Sequence, residues 1–207
     1  MVRLVIRMLC HAAALFAAAT SLALAHHAMD YATPATPLQG LLSGLGHPII
    51  GVDHLLFILG AGVLAARWKR GWILPMVFVI ASLAAAGGRV AGASIDVAES
   101  WIAVTLVVLG AILLAARNPG WVEAAAMFVV SGALHGYALA EAIVGAERTP
   151  LLAYFAGLAV IQSAIALAAW WIAGWLALRR PSVPLQRLAG AAVGMAGLAF
   201  AGMAAFG

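Results

Sequence analysis

Cysteine is almost missing from this sequence: Cys10 is the single one in 207 residues. Charge is scarce as well, at 9% Asp, Glu, Lys and Arg, against the roughly 25% usual in soluble domains. The first absence excludes a disulfide scaffold. Because Cys10 falls in a segment read below as a removable leader, any metal site is left with nitrogen and oxygen ligands. The second absence excludes an ordinary soluble domain. Hydrophobic residues make up 66% of the chain and the mean hydropathy is +1.09. That is more apolar surface than one water-exposed core can hide, so the solvent is largely lipid. No Gly-rich phosphate loop with its lysine occurs, so this chain alone does not draw on ATP. The isoelectric point near 10.0 rests on 11 Lys and Arg against 7 Asp and Glu. Those charges are scattered between apolar runs, as topology signals are, which excludes a nucleic-acid partner.

What is present is a series of apolar runs. Arg3 and Arg7 precede an apolar stretch from Met8 to about Leu22, which ends in Ala23-Leu24-Ala25. A basic start, a short apolar core and an A-x-A site predict a signal peptide over residues 1–25. Residues 26–37 then form a periplasmic N-terminal segment, and 38–207 a transmembrane domain. A membrane helix needs about 20 mainly apolar residues. On that criterion the sequence predicts an all-α, multi-pass protein with six transmembrane helices. The expected spans are Leu38–Ala66, Trp72–Val90, Val97–Ala116, Trp121–Ala142, Leu151–Leu178 and Leu185–Phe206. Each break combines a charge with Gly or Pro. With His26 outside, the inner loops hold Arg67, Lys69, Arg70, Arg117, Arg179, Arg180 and Arg187, and the outer loops only Arg89 and Arg148. This obeys the positive-inside rule and predicts a bacterial cytoplasmic membrane, with the mature N-terminus in the periplasm.

The polar residues within these spans carry the chemistry, because an ionisable side chain costs roughly 2.5–3.5 kcal/mol at a helix centre. His47, Asp53 and His54 lie in the first span, and His135 and Glu141 in the fourth. Glu99 stands at the outer mouth of the third, and Gln162 and Ser163 deep in the fifth. Three neutral imidazoles and two carboxylates, with no buried Lys or Arg to balance them, make a site for a cation. His47 and His54, seven residues apart, share a face if their helix is continuous. Pro48 lacks an amide proton and disfavours helical geometry at His47, which predicts a break there. Irregular backbone at membrane depth is tolerated where protein or water covers it, and transporters build substrate sites at such breaks.

An internal echo adds a geometric expectation. Ser43-Gly44-x-x-His47, with Asp53 six residues on, is repeated as Ser131-Gly132-x-x-His135, with Glu141 six residues on. The two copies lie in the first and fourth spans, as an inverted three-plus-three repeat requires. Antiparallel packing of those spans would pair His47 with Glu141 near the outside, and Asp53 and His54 with His135 deeper. Methionines are dispersed, so no copper(I) path is indicated. Imidazole with carboxylate suits Ni(II), Co(II), Zn(II) or Fe(II). His26 and His27 would be accessory ligands outside the membrane, and Glu99, Gln162 and Ser163 accessory groups within the bundle. Small-residue runs such as Ala84-Ala85-Ala86-Gly87-Gly88 permit close packing within the chain or in a homo-oligomer.

Gly46-His47-Pro48-Ile49-Ile50-Gly51-Val52-Asp53-His54 resembles the H-P-x-x-G-x-D-H signature of the HupE/UreJ family. The likeness continues through His135-Gly136-Tyr137-Ala138 and Gly145 to Leu151, then Ala153-Tyr154, Gly157 and Ile161-Gln162. It covers most of the chain after the leader. The resemblance implies a small six-helix permease for nickel or cobalt, with His47, Asp53, His54 and His135 as the motif residues. Ni(II) or Co(II) would be cargo, with no permanently bound cofactor. Many members carry a histidine four residues after the position of His135, where this chain has Leu139, and a fifth-span histidine that is missing here.

Two classes of function fit these residues. In the first, a secondary permease passes a divalent transition metal from periplasm to cytoplasm, received by His47 and Glu141 and held by Asp53, His54 and His135. In the second, a His/Asp-bound zinc activates water in an intramembrane hydrolase. A membrane haem protein is a third, although paired histidines on facing spans are sparse.

Overall fold

The computed structural model describes residues 33–95 and 99–206. The expected leader over 1–25, Cys10, His26, His27 and Asp96 lie outside the described residues, as does the side chain of Glu99. Among the described residues the structure is helical throughout.

Helix α1 (Pro37–Ile50) opens on a reciprocal cap. The Gln39 amide donates to Thr36 Oγ1 at 3.2 Å, and the Gln39 side-chain oxygen accepts from the Thr36 amide at 3.1 Å. Pro37 occupies the first helical position, where its missing amide proton costs nothing. The helix runs straight through Pro48 and stops at Ile50. Helix α2 (Val52–Ala65) then leaves at 75° to it. The break expected at Pro48 therefore lies three residues later, at Gly51. Proline removes one backbone bond, but the helix continues past it, and the Gly51 amide still reaches the His47 carbonyl at 2.9 Å. Gly51 itself is extended at ψ 94°, and that ends the helix.

Helix α3 (Ile73–Val90), helix α4 (Glu99–Leu114) and helix α5 (Trp121–Leu139) follow, the last tightening into a 3-10 turn over Ala140–Ile143. Helix α6 (Arg148–Arg179) and helix α7 (Leu185–Phe206) complete the chain. Gly87, Gly88 and Arg89 lie in the last turn of α3. Thr149 and Pro150 lie in the first turn of α6, where proline is well tolerated.

Glycine sets which helices touch. A Cβ on Gly40 or Gly44 of α1 would overlap the Pro150 or Tyr154 carbonyl of α6. A Cβ on Gly132 or Gly136 of α5 would likewise overlap the Phe78 or Ser82 carbonyl of α3. Rising numbers meet rising numbers in both pairs, so each pair is parallel. Helices α4 and α7 cross in the opposite sense, with Gly110 against Gly194, Gly190 against Leu114 and Gly197 against Val107. Backbones this close gain dispersion contacts that bulky side chains would prevent.

The core joins Phe57 and Leu64 of α2, Phe78 of α3, Leu106 and Leu109 of α4, Phe128 of α5 and Val193 of α7. Large apolar side chains such as Ile80, Val122, Val160, Leu178 and Leu198 point outward instead. Such a surface fits lipid and not water, and the chain is a membrane protein.

By length and apolar composition, four helices of the described residues can cross a bilayer, and the bent α1–α2 pair makes a fifth. Helix α4, with 16 residues, is about 24 Å long at 1.5 Å per residue, short of a hydrocarbon core of about 30 Å. Even so, it runs between the two ends of the bundle. At one end the Arg67 guanidinium donates to the Arg117 carbonyl and to the side-chain oxygens of Asn118 and Gln186. At the other, the Tyr137 hydroxyl accepts from the Ile95 amide at 2.8 Å and donates to the Ala93 carbonyl at 3.2 Å.

Candidate metal site

The bend at Gly51 assembles the site. It turns the last turn of α1 and the first turn of α2 toward each other, and the rings of His47 and His54 meet edge to face with centroids 6.2 Å apart. The shared face expected of a continuous helix is thus replaced by a corner that does the same work. A Cβ at Gly51 would lie 2.7 Å from His54 Cδ2 and 3.2 Å from Asp53 Oδ1, so any larger residue there would displace the His54 ring.

His135 of α5 completes the group. Its Nδ1 lies 2.7 Å from His54 Nδ1, and the two ring centroids are 4.9 Å apart. His47, His54 and His135 are all buried, His135 completely. Phe57 and Phe78 stack on each other at 5.1 Å and cover His135 at 4.7 and 5.7 Å, keeping water from it.

Hydroxyl groups orient two of the rings. The Tyr154 hydroxyl donates to the Leu139 carbonyl at 2.5 Å and lies 3.1 Å from His47 Nδ1. A hydroxyl has one proton, and a carbonyl only accepts, so His47 donates from Nδ1 and carries its lone pair on Nε2. Thr105 of α4 lies 2.9 Å from His135 Nε2, and its hydroxyl donates to the Ile102 carbonyl at 2.7 Å.

Asp53 sits in the first turn of α2, where its carboxylate accepts the His54 amide proton at 2.8 Å. A negative charge there is favoured by the helix dipole and by an amide that lacks an intrahelical partner. This is how a carboxylate is carried at the edge of an apolar bundle.

Glu141 departs from expectation. It lies on the 3-10 turn after α5 with its side chain 66% exposed, 3.8 Å from Arg89. His47 meets Tyr154 in the position where Glu141 was expected. The equal six-residue spacing misleads because the first copy contains the Gly51 corner and the second does not. In the second copy the helix tightens after Leu139 into the 3-10 turn instead, and Glu141 is carried outward. Arg89 also supplies the compensating cation that the sequence did not reveal, and its guanidinium lies 4.5 Å above the Tyr137 ring.

Of the accessory residues, Gln162 is fully buried and its Nε2 donates to Ser82 Oγ at 3.2 Å, while its Oε1 meets no donor among the described residues. Ser163 beside it is half-buried. Among the described residues, no three His, Cys, Asp or Glu side chains are arranged to hold one ion together. His54 and His135 form a closed, hydrogen-bonded pair, and His47 bonds to Tyr154 beside it. Sequence reasoning gave no role to Thr105, to the Phe57–Phe78 pair or to Tyr154, which entered only as part of the family likeness. Thr105 had a signal, as the only polar side chain between Trp101 and Leu114.

Comparison with known proteins gives the chain a family. The family described as "HupE / UreJ protein" matches residues 13–200. "Protein HupE" of Rhizobium leguminosarum bv. viciae is 29% identical over 187 residues, covering 87% of this chain and 94% of that protein. No solved structure matches. The match takes in the Gly51 corner, all three histidines and every helix but the end of α7, and the chain belongs to the HupE/UreJ family.

Proposed function

We propose that the chain is a permease that carries a divalent transition-metal cation, nickel or cobalt, from the periplasm to the cytoplasm. The observation that carries this reading is the buried His54–His135 pair, joined nitrogen to nitrogen beside His47 and Asp53 in the interior of an apolar bundle. The family, associated with nickel and cobalt transport, supports the same cargo.

The closed pair suggests how an ion is taken up. Two Nδ1 atoms at 2.7 Å share one proton. Metal–imidazole bonds of about 2.0–2.1 Å, as for zinc, need nitrogens roughly 3–4 Å apart. A small opening therefore lets a metal ion take the place of the proton, which must leave as the ion binds. His47 and Asp53 lie at the same corner and complete the ligand set with nitrogen and oxygen, the donors that suit Ni(II) and Co(II).

The helix pairs support an inverted repeat. Exchanging the two halves carries the α1–α6 pair into the α3–α5 pair, with Gly44 on Tyr154 answering Gly132 on Phe78. His47 against Tyr154 then answers His135 against Phe78. Rocking one half against the other around the histidines would open the site to either side in turn, through six passages of the membrane. Arg67, Arg117 and their partners at one end, and Arg89 with Glu141 at the other, agree with a basic cytoplasmic end.

Nickel and cobalt uptake by metal-depleted cells expressing the chain tests the reading. His47→Ala, Asp53→Asn and His135→Ala are each expected to abolish uptake at wild-type expression. Unchanged uptake in all three variants would overturn it.

A further inference from the structure

We propose that Thr105 is a positioning residue of the metal site: by holding His135 in one tautomer, it aims the His135 Nδ1 lone pair at the place where the ion enters. This inference rests on the permease reading and deepens it, since nothing in the family resemblance points to α4.

The argument begins with the hydroxyl. A threonine within a helix commonly turns its hydroxyl back to a carbonyl of the preceding turn, and Thr105 does so, donating to Ile102 at 2.7 Å. Its only proton is then spent. Its oxygen also lies 2.9 Å from His135 Nε2, in the buried interior of the bundle. That oxygen can only accept, so His135 donates from Nε2 and keeps its lone pair on Nδ1. His54 Nδ1, 2.7 Å away, must then supply the proton of the shared bond. The order runs from the Ile102 carbonyl through Thr105 and His135 to His54, with one donor at each link.

A threonine placed only for packing would not need this geometry. Valine has nearly the same shape and is more at home in an apolar helix. The hydroxyl is useful because metal-binding histidines usually anchor their second ring nitrogen, and the anchor fixes both the tautomer and the ring. Thr105 supplies that anchor from α4, while Phe57 and Phe78 hold the ring from its other sides. His135 thereby presents Nδ1 whether a proton or a metal ion lies between it and His54.

The test uses the full chain, purified without metal and labelled with nitrogen-15 at histidine. In wild type, NMR should find His135 protonated at Nε2 and His54 at Nδ1. Thr105→Val should turn His135 into a mixture of tautomers and lower nickel affinity about 10–100-fold. Thr105→Ser, which keeps the hydroxyl, should restore both. Identical tautomers in wild type and Thr105→Val would overturn the proposal, and so would a nickel affinity that follows the loss of the methyl group in Thr105→Ser rather than the loss of the hydroxyl. A wild-type chain that binds neither nickel nor cobalt refutes the permease reading instead, and the metal-free spectra still decide whether Thr105 sets the tautomer.

Discussion

Tyr154 and Thr105 give their hydroxyl protons to backbone carbonyls, and each thereby makes a histidine a donor. The same economy serves His47 and His135, the two histidines related by the sequence echo. Removing the tyrosine hydroxyl takes one hydrogen bond from the buried His47 ring and one from the Leu139 carbonyl. Tyr154→Phe should therefore weaken nickel binding about 10–100-fold and cost about 1–3 kcal/mol of stability. Equilibrium dialysis and thermal melting would check the two effects separately. At this scale the sequence showed the three histidines and Asp53, because ionisable groups stand out in apolar runs. It did not show their anchors. Threonine and tyrosine are ordinary in membrane helices, and which nitrogen a hydroxyl meets depends on three helices packing together.

Among the elements, the α1–α2 corner decides most. Sequence reasoning expected a break in the first span and named Pro48, since proline is the strongest single helix breaker. The chain breaks at Gly51 because the helix loses only one bond at Pro48, while the His54 ring needs the space a side chain on residue 51 would fill. Gly51→Ala should push the His54 ring off its contact with His135. We expect nickel affinity to fall in this variant while helix content, followed by circular dichroism, stays at the wild-type level. An unaltered affinity would show that the corner has slack. Helix limits were otherwise legible, since apolar runs and charged breakers marked α3, α5 and α7 to within a few residues. Glu141 was not, because the tightening after Leu139 that turns it outward leaves no mark in the hydrophobic pattern.

For the whole molecule, three close helix pairs and two polar ends define a bundle with the histidines inside. The α1–α6 and α3–α5 pairs share a parallel, glycine-mediated contact, and α4 crosses α7 in the opposite sense. One S-G-x-x-H copy lies on one helix of each parallel pair, α1 and α5. The partner helices carry no matching motif, so the sequence does not show that Tyr154 and Phe78 each meet a histidine of the echo. A bundle of this kind moves cargo if its halves can tilt about the buried site. Flux through the purified chain in liposomes, read by a metal-sensitive dye trapped inside, tests that claim most directly. Wild type should admit nickel down its gradient, and His54→Ala, correctly folded and inserted, should not. Equal flux through the two proteins would contradict a transport path built on these histidines.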